Sequence, residues 1–360
     1  MKKGLFMAAG VLLSIVCLYF ILRHQDMKEL LRTARTINWG WVAISTLVFY
    51  AGFYLRAERW VAFFPPEPRL KGYRIVGPMM AGYALNSLFP GRVGEPARAY
   101  LVARRERVSI PAALSSVVAE RLVDMATLLG MLAGVFALVP FGSFTKTWGK
   151  ITLSEHTLRE FARGTSLYLA LPLTMVVILL MSSHFRSAVE RIIQRMTFVP
   201  LKARTFGIGL MHSFAQGFQG LKSPVQAFLI IIYSLLIWGS AGWGIQLLAP
   251  AFGLNMSFLQ GTAIMVIICI AITPATTPGY WGLYEAGFVF GAKVLGITDL
   301  GGRTNIDAQL VAMALLLHLI QYVPIIIWGM SWASMAGVSL RETARRASGT
   351  GDAVEIVVNN

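Results

Sequence analysis

Two apolar stretches of this sequence are interrupted partway along by proline and glycine, and these interruptions constrain the fold more than any other feature. Residues 72–104 run apolar as far as Pro90-Gly91 and then become arginine-rich, while residues 257–296 are interrupted at Pro274 and again at Pro278-Gly279. Proline removes a backbone donor and glycine loosens a helix, so each stretch reads as two half-helices meeting at a break. Around them stand unbroken apolar runs at 4–22, 41–64, 110–140, 165–182, 224–249 and 307–337. Each is long enough to cross about 30 Å of hydrocarbon at about 1.5 Å per residue. The run at 4–22 follows Met1-Lys2-Lys3 and has no small-x-small cleavage site, so it reads as an uncleaved first span. The expected fold is an all-α polytopic membrane protein with about six full transmembrane helices and two broken, re-entrant helical hairpins.

Composition agrees with that expectation. The chain is 56% apolar and only 14% charged, against about 25% charged in ordinary soluble domains. Its net charge of +15 would by itself suit nucleic acid, but the basic residues sit between the apolar runs, where the cytoplasmic face of a bilayer attracts them. No nucleic-acid partner is expected. With the N-terminus inside and both broken regions re-entrant, the inside segments hold 19 Lys and Arg and the outside segments 9. That asymmetry places both termini in the cytoplasm. Residues 1–337 then form a single transmembrane domain and 338–360 a cytoplasmic tail. Between them, residues of about 185–220 read as interfacial helices, because Phe185, Val189, Ile192, Ile193 and Met196 share one face while Arg186, Glu190, Arg191 and Arg195 lie elsewhere.

This topology has a further consequence. Residues of about 41–140 form one unit whose broken region enters from the cytoplasm, and residues of about 224–337 form a second whose broken region enters from outside. The two units have opposite direction, and their breaks are alike: Pro90-Gly91-Arg92-Val93-Gly94-Glu95 against Pro278-Gly279-Tyr280-Trp281-Gly282 with Glu285 beyond. Inverted repeats with broken helices are a transporter pattern, in which half-helix ends and unwound backbone build the substrate site.

Charges within a span cost about 2.5 to 3.5 kcal/mol each on insertion scales, so they usually face protein or a water-filled path. Run 110–140 carries Glu120, Arg121 and Asp124. The two acids share a helix face and Arg121 can pair with Asp124, leaving one negative charge for Arg92, Arg98, a proton or a cationic headgroup. Glu95 and Glu285 follow the breaks at positions where a helix dipole stabilises a carboxylate, so each is either a cap or a titrating site residue. Arg92 has the planar fork that binds phosphate, or it snorkels to the interface; Asn86 beside it is a neutral donor and acceptor. Arg56, Glu58 and Arg59 read as interfacial anchors beside Trp60. His318 and Gln321 lie one turn apart in the last span, facing whatever the second hairpin presents. The pairs Gly130/Gly134 and Gly287/Gly291 read as close helix contacts.

Other chemistry finds no support. Cys17 and Cys269 lie inside apolar runs, the five His are scattered, and no phosphate-binding, nucleophile-elbow or dinucleotide motif is present. No cofactor or metal is expected, nor catalysis by this chain.

The segment from Asn86 to Met125, with N-x-x-x-P-x-R-x-G-E at Asn86, Pro90, Arg92, Gly94 and Glu95 and E-R-x-x-D at Glu120, Arg121 and Asp124, resembles the lysylphosphatidylglycerol synthase transmembrane-region family. The P-G-x-x-G-x-x-E of Pro278, Gly279, Gly282 and Glu285 completes the resemblance, which runs over about 30–335. It implies a flippase-like integral membrane protein of a bacterial inner membrane. In the multiple peptide resistance factors such a region is joined to a cytosolic aminoacyl-transfer domain and moves the modified lipid between leaflets; the short stretch after residue 337 leads us to expect no such domain here. Stand-alone relatives belong to hopanoid or polyprenyl-lipid pathways. The partners implied are membrane lipids: anionic or aminoacylated phospholipid, hopanoid or polyprenyl-phosphate lipid. A homo-oligomer or a lipid-modifying enzyme would be the protein partner. The expected function is lipid translocation through a polar groove lined by Asn86, Arg92, Glu95, Glu120, Arg121, Asp124, Glu285 and His318. The alternatives are a non-catalytic membrane subunit or a membrane enzyme of a lipid or glycolipid modification pathway.

Overall fold

The computed structural model describes residues 27–64, 70–89, 92–139, 145–148, 151–196, 200–217, 223–273, 278–299 and 306–339, with single positions between 12 and 23. The expected first span lies almost wholly outside these residues, as do Pro90, Gly91, Pro274 and the tail from 340 onwards. Twelve α-helices are formed among the described residues: α1 Met27–Arg35, α2 Trp39–Ala62, α3 Gly72–Leu88, α4 Gly94–Glu106, α5 Ile110–Leu138, α6 Glu155–Met181, α7 Ser183–Arg195, α8 Leu201–Gly217, α9 Pro224–Leu248, α10 Phe258–Ile272, α11 Leu283–Val294 and α12 Ile306–Met335. Two short antiparallel pairs, Thr145–Trp148 with Ile151–Ser154 and Leu254–Asn255 with Thr298–Asp299, trim the loops. The chain is thus an all-α membrane protein. Among the described residues three helices are long and apolar enough by themselves to cross a bilayer, within Ile110–Leu138, Pro224–Phe252 and Ile306–Met335.

Helix ends follow local sequence. Ser109 accepts from the Ala112 N–H ahead of α5, with Pro111 in the first turn where its missing donor costs nothing. Ser257 and Gln260 form a reciprocal capping box at α10. At the far end of α5 the carbonyls of Phe136, Ala137 and Val139 receive the Arg159 guanidinium from α6, so one side chain satisfies three otherwise orphaned acceptors.

Small residues set the helix contacts. On the α2–α9 seam Ser45 Oγ donates to the Gly244 carbonyl at 2.8 Å, and Gly244 leaves room for the Phe49 ring. In the α3–α12 seam Gly77 lies under the Trp332 indole and Gly329 against the Met80 carbonyl. Helix α10 packs on α9, α11 and α5, with Gly287 and Gly291 of α11 against Ala271, Ile264 and Ile267. Close backbone approach of this kind replaces the hydrophobic drive that lipid does not supply. Gly130 and Gly134 do not behave as the sequence suggested: a side-chain carbon at either would meet nothing within 4 Å among the described residues. GxxxG spacing gives a small-residue ridge, but here no described helix covers it. Helix α8 packs along α5 as well as on α7, and His212 of α8 lies 3.3 Å from Glu190 of α7.

Candidate functional site

Three helices of the first unit deliver charge to one buried place. Arg59 of α2, Arg98 of α4 and Glu120 of α5 are 0%, 1% and 0% exposed, and Asp124 is 4% exposed. Arg59 Nη2 lies 2.7 Å from Asp124 Oδ1 and 3.4 Å from Glu120 Oε1, while Arg98 Nη2 is 2.8 Å from Glu120 Oε2. Arg121 closes the group from the half-buried side, 3.2 Å from Glu120, 3.5 Å from Asp124 and 3.9 Å from Glu95. Three arginines therefore face three acids, and the desolvation of each is offset by opposite charge. The network reaches the second unit through α9: Arg59 Nη1 donates to Ser234 Oγ at 2.9 Å, and the Trp238 indole N–H donates to Asp124 Oδ1 at 3.2 Å. Arg98 is also held between the faces of Trp60 and Tyr83, at 4.6 and 5.6 Å.

The two breaks sit near one another. In the first, Asn86 Oδ1 accepts from the Gly94 N–H at 2.7 Å, so α3 caps the start of α4. No side chain larger than hydrogen fits at Gly94, because a Cβ there would collide with the Gly82 carbonyl. In the second break Glu285 Oε2 accepts from the Gly282 N–H at 2.7 Å, capping α11, and Glu285 Oε1 is 2.7 Å from His318 Nδ1 of α12. His318 is held between Tyr284 and Trp281, with ring centroids at 4.3 and 4.2 Å. One contact links the breaks, the exposed Arg92 donating from Nη2 to the Thr273 carbonyl at 3.4 Å, and beside it Tyr322 of α12 donates its hydroxyl to the Ser87 carbonyl of α3 at 3.1 Å.

The sequence-selected residues thus fall into two groups. Glu120, Arg121 and Asp124 belong to the buried network with Glu95 at its rim; Asn86, Arg92, Glu285 and His318 belong to the breaks. Arg98 joins Glu120, whereas Arg92 points to the second break. Arg59 and Trp60, expected at the interface, are both wholly buried: Trp60 donates to Ser116 Oγ at 2.9 Å and Arg59 supplies the centre of the network. Sequence reasoning missed Arg59, Ser234, Trp238 and Tyr322. One signal for Arg59 was available, since Glu120 and Asp124 on a single face ask for more cation than Arg121 alone provides. Among the described residues no three His, Cys, Asp or Glu cluster as a metal site would.

Broken half-helices, an intramembrane charge network and a contact between the breaks define a polytopic helical membrane protein built around an internal polar region. The chain belongs to the family described as lysylphosphatidylglycerol synthase TM region, which it matches over residues 7–329. It is also 25% identical over 362 residues to glycosyltransferase AglD of Haloferax volcanii, covering 92% of this chain and 54% of that protein. The chain therefore spans about half the length of that curated relative. No solved structure matches it.

Proposed function

We propose that this protein is a lipid translocator rather than an enzyme, moving a polar-headgroup lipid between leaflets along the place where the two breaks meet. The contact of Arg92 with the Thr273 carbonyl carries the reading: an exposed guanidinium from one break lies against the helix end of the other. The two units are read as inverted repeats. Supporting this, α2 packs on α9, α3 on α12 and α10 on α5, and Arg92 and Tyr280, each directly after Pro-Gly, share a left-handed backbone. A headgroup would meet Arg92, Asn86, Glu95, Glu285 and His318, while its chains stay in the bilayer. Glu120, Arg121, Asp124 and Arg59 hold α2, α4, α5 and α9 together beneath it. The membrane is read as a bacterial inner membrane from the family resemblance, the charge distribution supports both termini in the cytoplasm, and without a nucleotide site the drive would be a lipid gradient, a proton gradient or membrane potential.

The test is a leaflet-accessibility assay on purified chain in liposomes, with fluorescent phosphatidylglycerol, its lysyl derivative and a polyprenyl phosphate. Movement of one of them identifies the cargo; no movement of any by folded protein overturns the reading. A second reading, as membrane subunit or enzyme of a glycolipid modification pathway, is favoured by the glycosyltransferase name of the Haloferax volcanii relative. It predicts a lipid whose mass changes, by this chain or by an enzyme that co-purifies with it.

A further inference from the structure

One half-buried cation of α2 makes no ion pair among the described residues. Arg56 of α2 lies one turn from Arg59, and its guanidinium rests on the Trp238 ring, 4.9 Å from the centroid, at the edge of the buried network to which Trp238 is bonded. Among the described residues no carboxylate lies within 4.0 Å of it, because Glu120 and Asp124 are already engaged by Arg59, Arg98 and Arg121. A half-buried arginine left without an acid in contact calls for an anionic partner.

The space beside it suits one. Arg56 lines a partly open cavity of about 140 Å³ between α2, α9 and α10, with Tyr284 and Gln321 also in its wall. Most of the wall is hydrocarbon and ring, including Phe49, Phe53, Ile245, Met265 and Ile268, and Arg56 is the one ionised residue lining it. A cavity of about 150 Å³ holds a guest the size of benzene, so this one takes a small headgroup or a short length of chain, not two acyl chains. Stacking on Trp238 occupies one face of the guanidinium and leaves its edge donors free to fork onto two oxygens. Trp238 cannot easily swing away, since its indole N–H is committed to Asp124.

We infer that the cavity at Arg56 is a binding site for the phosphate of a lipid, with Arg56 as its ligand and the apolar wall receiving the first carbons of the tail. The site lies next to the breaks: Ile272 of its wall precedes Thr273, whose carbonyl receives Arg92. Arg92 is the exposed cation at the neighbouring break. This inference rests on the reading of the protein as a lipid handler, but binding at Arg56 and movement across the bilayer are separately measurable.

The experiment is native mass spectrometry of the full chain in neutral detergent with dodecyl phosphate, inorganic phosphate or dodecanol. One dodecyl phosphate should bind per chain, with affinity lowered about tenfold or more in Arg56→Gln and less in Arg56→Lys. Ala241→Phe, which fills the cavity and leaves every charge in place, should also lose it. Equal binding to Arg56→Gln or to Ala241→Phe overturns the site, as does equal binding of dodecanol. Binding of inorganic phosphate as strong as that of dodecyl phosphate overturns the lipid as its source. Arg56-dependent binding in a protein that moves no lipid would remove translocation and keep the site, whereas transport without Arg56-dependent binding would do the reverse.

Discussion

Arg92 and Tyr280 stand at the same position of the two breaks, immediately after Pro-Gly, and both have left-handed backbone, with φ of 54° and 58°. A side chain in this conformation costs about 1 to 2 kcal/mol, and both breaks bear that cost at a matching position. The chain reverses there, so that Gly94 and Gly282 can start the next half-helix, each with its N–H bonded to a side-chain oxygen, of Asn86 and Glu285 respectively.

The second break is tight enough to test by a single methyl group. Gly279 has φ +67°, and a Cβ there would lie 2.6 Å from the Tyr322 ring. Gly279→Ala should lower stability by about 2 kcal/mol or more. Gly130→Ala, which meets nothing within 4 Å, should be neutral or slightly stabilising. Thermal unfolding of both variants in the same detergent compares them.

Arg59 should be a stability residue. Arg59→Met leaves Glu120 and Asp124 short of a buried partner, and breaking such a pair costs about 3 to 5 kcal/mol. The pair of Arg74 and Glu106, with Arg74 side chain 47% exposed, should lose no more than about 1 kcal/mol in Arg74→Ala. Unfolding midpoints give both, and equal effects would contradict the assignment of Arg59 to the centre of the network.

Asn86 has a smaller and more local effect. Asn86→Ala removes the acceptor for the Gly94 N–H and should cost about 1 kcal/mol, while Asn86→Asp keeps the acceptor and should cost less. Hydrogen exchange over 92–97 is the local readout: faster in Asn86→Ala, close to wild type in Asn86→Asp.

Glu285 and His318 should act together. Glu285→Gln retains an oxygen for the Gly282 N–H but loses the charge facing His318, so the fold should survive. A double-mutant cycle with His318→Gln should give a coupling of about 0.5 to 3 kcal/mol in stability. A coupling of zero would contradict the 2.7 Å contact.

Much of this was written in the sequence, for physical reasons. Pro90-Gly91 and Pro278-Gly279 announced breaks because proline and glycine act on the backbone locally, whatever surrounds them. Glu120, Arg121 and Asp124 announced a network because charge inside an apolar run needs a partner. Arg59 was hidden among Arg56, Glu58 and Trp60 at the end of a run, where arginine is ordinarily an anchor; only the packing of α2 against α5 and α9 shows which of the two arginines is enclosed. Tyr322 and Trp238 were hidden for the same reason, since an aromatic residue in an apolar helix does not advertise its polar edge. Gly130 and Gly134 failed in the opposite direction: their spacing permits a close helix, and spacing alone cannot supply one.

The central claim is that a lipid headgroup passes where the two breaks meet. Its most direct test is transport in liposomes of the lipid that the wild-type chain moves, compared with Arg92→Ala, Arg92→Lys and Glu285→Gln at equal, folded protein. The account predicts loss of transport in Arg92→Ala, partial retention in Arg92→Lys and loss in Glu285→Gln. Full transport by a chain carrying Arg92→Ala and Glu285→Gln together would contradict it.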